Sequence, residues 1–291
     1  MIVLVLVASG CGKTENLPTG ETATSGSFEL VADEVLKPVI DSLVQGFTTE
    51  NPSAKVTVKY VSAGEAVREL MNHEARAIII DRGLTPMERE VLAKDSVTLP
   101  VFRMAEDGIG CITSRQSKQD TERLSDILER IQELSPLVFP EYPSSIEYIL
   151  DSMAGSKWVQ MIRFATTDSI LAYIAKNTGA LGFVSSAWKH KLEVAGDTSV
   201  KFLPIIPHDL SSQGISEPVM LHIAYIAEKA YPLTTIVNGY TSETANTVPR
   251  GFFVYCMTAH GQTVFKNFGL LPKTQPIKLI RNAEDTKGAT K

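Results

Sequence analysis

The stretch from Phe28 to Thr85 constrains this chain more than any other. Apolar runs of strand length alternate there with amphipathic runs of helix length. The pattern predicts a strand at Phe28 to Ala32, a helix opening at Asp33 and a strand from Lys55 to Tyr60. A helix from about Gly64 to His73 and a fully apolar strand, Ala77 to Ile80, complete it. Strands that alternate with helices pack as layers around a sheet with parallel strands. The loops Ala32-Asp33-Glu34, Val61-Ser62-Ala63-Gly64 and Asp81-Arg82-Gly83 then share the carboxyl edge of that sheet, where open α/β sheets bind ligands. Helix N-termini at such an edge offer free N–H groups to an anion.

A chain of 291 residues is long enough for two lobes. Its net charge of −5 and the lack of any Lys/Arg-rich run argue against a nucleic-acid partner. No stretch approaches 18 consecutive apolar residues, so no spanning helix is predicted. Cys111 and Cys256 sit in apolar contexts and read as buried thiols, although spacing alone leaves a disulfide between them open. No Cys/His spacing forms a zinc site, and nothing calls for a cofactor. The five histidines share no spacing, and no Ser/His/Asp constellation assembles, so the sequence reads as a non-enzyme.

The N-terminus has two readings. Met1 to Val7 is a short apolar run followed by Ala8-Ser9-Gly10-Cys11, which resembles a bacterial lipoprotein signal whose cysteine is lipidated. It lacks a basic leading segment, which leaves a start upstream of Met1 open. Ser9-Gly10-Cys11-Gly12-Lys13-Thr14 also resembles the tail of a phosphate-binding loop, but Val7 stands where that motif needs Gly. The segment after Lys13-Thr14 is rich in Thr, Gly and Ser, a tether rather than a helix. The expectation is a signal segment at 1–10, lipidation at Cys11 and a flexible tether at 11–27.

Further along, Thr85-Pro86-Met87-Glu88 predicts a capped helix start. Strands are expected near Val97 to Phe102, Gly108 to Thr113, Leu181 to Val184 and Pro232 to Asn238. Helices are expected from Ser125 to about Leu134, Ile146 to Met153 and Thr167 to Lys176. One long amphipathic helix is expected from about Pro249 to Phe268, ended by Gly269-Leu270-Leu271-Pro272, with a last strand at Lys278 to Arg281.

Taken in order, several pieces resemble the phosphate-binding component of bacterial phosphate ABC importers, the PstS-like periplasmic proteins. They are Asp33 to Ile40, Glu65 to Leu70, Asp81-Arg82-Gly83-Leu84-Thr85, Gly179 to Val184, Tyr231-Pro232-Leu233-Thr234 and Gly261 through Pro272. The resemblance implies an α/β, two-lobed type II periplasmic-binding-protein fold, each lobe a mixed sheet flanked by helices, with a ligand cleft between. Lobe 1 is then 28–103 with 232–291, and lobe 2 is 104–231. It implies a cell-envelope location on the periplasmic side of a membrane, inorganic phosphate or a related oxyanion as ligand, and ABC permease subunits as partners.

The family holds its oxyanion with N–H groups, hydroxyls, an Arg and one Asp that accepts a proton from the ligand. By resemblance, the oxyanion-binding residues are Ser62, Asp81, Arg82, Ser144 and Ser145. Each has a structural alternative: Asp81 as a cap ahead of Thr85, Arg82 as partner of a carboxylate, and the serines as N-caps. Two departures stand out. The first loop carries Asp33 and Glu34 in place of Ser/Thr, and no Arg precedes Ser144 within Val138 to Tyr142. A desolvated carboxylate facing phosphate is costly. This leaves a second expectation, a binding-protein fold that has lost tight phosphate binding and serves as an interaction module in an envelope complex.

Overall fold

A computed structural model describes residues 20–94, 99–130, 137–141, 144–154, 161–207, 217–243 and 246–274. The signal segment and Cys11, the end of the helix expected to reach Leu134, the Tyr142-Pro143 turn and the strand expected at Lys278 to Arg281 lie outside those residues.

The first part of the chain forms β1 (Gly26–Asp33), α1 (Lys37–Glu50), β2 (Ala54–Val61), α2 (Ala63–Met71), β3 (Ala77–Ile80) and α3 (Pro86–Lys94). The helix expected at Asp33 begins instead as a single 3-10 turn, Glu34–Leu36, and α1 proper comes after it with Pro38 in its first turn. The ring there removes an N–H that has no helical partner anyway. All of β3 is buried, as a strand covered on both faces must be, whereas β2 alternates. Order starts early in the N-terminal segment. The Glu21 carboxylate accepts from Arg76 Nη2 at 2.8 Å and from the Val248 N–H at 3.0 Å, so β1 is packed from Gly26 onward.

The long strand β4 (Val101–Ser114) joins the two halves of the molecule. Where two strands were expected there is one. Beyond it lie β5 (Glu122–Arg123), α4 (Leu124–Arg130), β6 (Leu137–Pro140), α5 (Ser145–Ala154), β7 (Ile162–Phe164) and α6 (Thr167–Lys176). Then come β8 (Leu181–Ser185), α7 (Ser186–Ala195), β9 (Val200–Leu203), β10 (Ile205–Ile206) and α8 (Ile223–Ala227). The chain returns through β11 (Thr234–Thr241) to α9 (Val248–Met257), α10 (Ala259–Asn267) and β12 (Leu271–Pro272). The apolar run Val219 to Ala227 ends in a helix, α8, and α7 had no sequence expectation.

The main, curled sheet runs β2-β1-β3-β11-β4-β8-β6-β7, with β9 and β12 also on β4, and β5 pairs with β10 in a separate sheet. The strands β1, β2 and β3 are parallel, and β11 is antiparallel to both β3 and β4. Up to Gly108, β4 pairs with β11; from Ile109 onward it pairs with β8 and β9. The two halves meet at that change of partner. Each half buries apolar side chains on both faces of its sheet. The result is two lobes, each a mixed sheet between helices. Cys111 packs in the core of the second lobe and Cys256 in that of the first, and no disulfide joins them.

The single helix expected from Pro249 to Phe268 is two helices broken at Thr258. The Thr258 hydroxyl accepts from the Gly261 N–H at 3.4 Å and caps α10. Gly261 lies so close to the preceding turn that an added Cβ would stand 2.4 Å from the Tyr255 carbonyl oxygen. Both helices bury onto one core, which is why the apolar pattern runs through the break. Gly269, at φ +84°, ends α10 in the left-handed conformation that Gly adopts without strain.

Candidate inter-lobe site

The carboxyl ends of β1 and β3, the start of β11, the partner change in β4 and the starts of α5, α6 and α7 converge between the lobes. The sequence supplies this point with carboxyl groups. Asp33 ends β1 fully buried, and it accepts N–H bonds from Val35 and Asp81, both long at 3.5 Å. Burial pushes its carboxyl up to about 6, against smaller opposing effects from those N–H groups and from Arg82. The Ser145 hydroxyl, buried at the start of α5, lies beside Asp33 and favours its charged form without completing a well-aligned hydrogen bond.

Asp81, immediately after β3, is wholly buried and faces Asp107 of β4 rather than capping α3. Thr235 Oγ1 donates to Asp81 Oδ1. Asp107 accepts from the Ser186 hydroxyl and, at 3.2 Å, from the Ser186 N–H, and the Ser185 hydroxyl and Gly108 N–H also favour its charged form. Burial raises both carboxyls, and the proximity of Asp107 raises Asp81 further. Two carboxyls in contact share one proton. The donors gather on Asp107 and favour its charged form, whereas Asp107 itself pushes Asp81 toward the neutral form. Sequence reasoning missed Asp107, because Glu106-Asp107-Gly108 has the composition of a turn.

Glu34 closes the site across the lobes. Its Oε2 accepts from the Thr167 N–H at 3.0 Å and from Thr167 Oγ1 at 2.7 Å, at the N-terminus of α6. That is where a bound anion would gain from a helix start. Burial pushes this carboxyl up to about 7, and nearby Asp33 adds to the rise. Beside it, Trp188 Nε1 of α7 donates to the Val35 carbonyl at 2.9 Å, a second bond between the lobes.

The remaining expected residues are dispersed. Arg82 is buried and forks onto Glu88, with Nη1 2.8 Å from Oε2 and Nη2 2.7 Å from Oε1, and Nη1 also reaches the Gly83 carbonyl. Ser144 caps α5 by accepting from the Glu147 N–H at 3.2 Å, and Ser62 caps α2 by accepting from the Glu65 N–H at 3.3 Å. Of the five, Asp81, Ser145 and the charge of Arg82 bear on Asp33. Arg163 pairs with Glu147, and Arg103 lines a separate cavity with Arg82. Ser62 and Glu34 line a cleft of about 820 Å³ whose acids, Glu34, Glu65, Glu141 and Asp168, outnumber its cations, Lys37 and Arg68. Among the described residues no cluster of His, Cys, Asp and Glu has metal-binding geometry, and no helix is long and apolar enough to cross a membrane.

Two lobes bridged by a shared strand, with a polar site between them, define a binding-protein architecture. The chain matches the PBP superfamily domain over residues 17–259 and belongs to that family, one of binding proteins. Its fold is similar to that of a solved phosphate ABC transporter substrate-binding protein of Clostridium perfringens with bound phosphate. The TM-score is 0.69 at 16% identity, covering 85% of this chain and 100% of that one. An ABC-type phosphate transport receptor from Vibrio cholerae gives 0.60 at 17%, covering 84% and 100%. The regulatory domain of CcmR from Synechocystis, in complex with 2-PG, gives 0.55 at 13%, covering 79% and 95%. A search of curated protein sequences finds no match. The fold is thus one that substrate-binding proteins of importers and a regulator share.

Proposed function

We propose that this chain is a binding-protein module of the cell envelope, anchored through a lipid on Cys11, whose inter-lobe seat is filled by its own carboxyl groups. On this reading it works as an interaction module in an envelope complex and not as a tight phosphate receptor. The observation that carries the reading is Glu34 held at the start of α6 by Thr167. A seat already holding the buried carboxyl groups of Asp33 and Glu34 is unfavourable for a dianion. Arg82, a deeply buried arginine near it, is already neutralised by Glu88. The lobes are taken as 28–103 with 232–291, and 104–231.

A second reading is capture of phosphate, or a related oxyanion, for delivery to ABC permease subunits. Its support is Asp81 after β3, where the resembling family places its acceptor, together with the fold shared with phosphate-binding proteins. Neither reading involves bond making or breaking by the chain. Detergent extraction of membranes and affinity isolation of the full chain, with and without phosphate, separates them. The first reading expects the same membrane-associated partners in both conditions. Partners that are lost or gained with phosphate, accompanied by a phosphate-dependent rise in melting temperature, establish the second.

A further inference from the structure

A second cavity, of about 590 Å³, opens between the loop after β3, the starts of β4 and β11, and α5 of the other lobe. Its lining contains Arg82, Arg89 and Arg103 and no acid, in a chain whose net charge is −5. The cleft lined by Glu34 has the opposite balance. Arg82 is spent on Glu88, but among the described residues Arg89 and Arg103 pair with no carboxylate; Arg89 Nη1 reaches only the Leu84 carbonyl. The walls are apolar and include side chains that globular proteins usually cover. Val101 is 50% exposed and Tyr148 46% exposed, and Leu92, Leu99, Ile149 and Ile236 line the interior. The volume suits a small molecule, and apolar walls with a few placed charges are the common make-up of such sites.

We infer that this cavity binds an amphipathic organic anion, with an acidic head at Arg89 and Arg103 and an apolar body against Tyr148, Ile149 and Leu92. The lining includes neither Asp33 nor Glu34, and inorganic phosphate has no apolar body for those walls, so the inference does not depend on the function proposed above. Because Tyr148 and Ile149 come from the second lobe and the arginines from the first, an occupant touches both.

The test is a fluorescence titration of the folded protein with 8-anilinonaphthalene-1-sulfonate, an anion with an apolar body. Saturable binding at one site is expected. Arg89→Glu/Arg103→Glu, which alters two exposed side chains, is expected to weaken it by about tenfold or more with an unchanged melting temperature. Tyr148→Ser is expected to weaken it as well, and uncharged N-phenyl-1-naphthylamine to bind at least about tenfold more weakly than the sulfonate. Absence of saturable binding, equal binding by the charge-reversed variant, or equal binding of the uncharged dye overturns the inference.

Discussion

Glu34, in the turn that follows the first strand, accepts both the backbone N–H and the hydroxyl of Thr167, 133 residues away and in the other lobe. A carboxyl group of the chain sits at the helix start where a solute anion would sit. Its second oxygen, Oε1, is buried with no hydrogen-bond partner. That imbalance explains why the group is drawn toward its neutral form.

The first prediction concerns pH. Folding raises Glu34 from 4.5 to about 7 and Asp33 from 3.8 to about 6, so the folded state binds more protons than the unfolded one. The stability from Glu34 is present in full below pH 4.5 and is lost as pH rises through about 7. Gln cannot ionise, so Glu34→Gln should be close to wild type at pH 5 and gain relative to it at pH 8, by up to about 3 kcal/mol. Urea unfolding of both proteins at the two pH values reads the difference. A constant difference contradicts the buried-carboxyl account.

Asp81 and Asp107 should not be equivalent. If the proton rests on Asp81, Asn at that position keeps both the bond from Thr235 and a donor toward Asp107. Asp81→Asn should then cost within about 1 kcal/mol, whereas Asp107→Asn removes the charge that Ser185, Ser186 and Gly108 serve and should cost about 2–3 kcal/mol. Equal losses in denaturant unfolding would show that the shared proton is misassigned.

Arg82 has a structural task. Arg82→Ala leaves Glu88 half-buried without its fork and should destabilise by about 2–3 kcal/mol, while Arg82→Lys recovers only part, because an ammonium cannot bridge both oxygens. The double variant Arg82→Ala/Glu88→Ala should cost less than the two single losses added together. Additive losses in that cycle would mean that the pair does not interact as described.

Gly261 marks the break between α9 and α10. A methyl group there would stand 2.4 Å from the Tyr255 carbonyl, so Gly261→Ala should lower stability by about 2 kcal/mol or more. Gly179→Ala, where a Cβ meets nothing within 4 Å, is the control and should be near neutral. Thermal unfolding of the two variants side by side decides this.

The legible features of the sequence were local. β3 was legible because four consecutive apolar residues admit few alternatives, and the start of α3 because Thr85 and Glu88 cap each other, with N–H to side-chain distances of 2.7 and 3.2 Å. The same motif put Glu88 six residues beyond Arg82, close enough to be its carboxylate partner. The break at Thr258 was hidden because two helices on one core keep one apolar pattern. Asp107 was hidden behind the composition of a turn. The bond from Glu34 to Thr167 had no sequence signal, since only the folding of β4 and β11 across both lobes brings such distant residues together.

The central claim is that the seat between the lobes is taken. Equilibrium dialysis of the folded wild-type protein against radiolabelled phosphate at pH 7.5, from about 0.1 μM to 1 mM, tests it most directly. No stoichiometric uptake across that range is the expected result. One phosphate bound per chain with a micromolar or tighter Kd would contradict it.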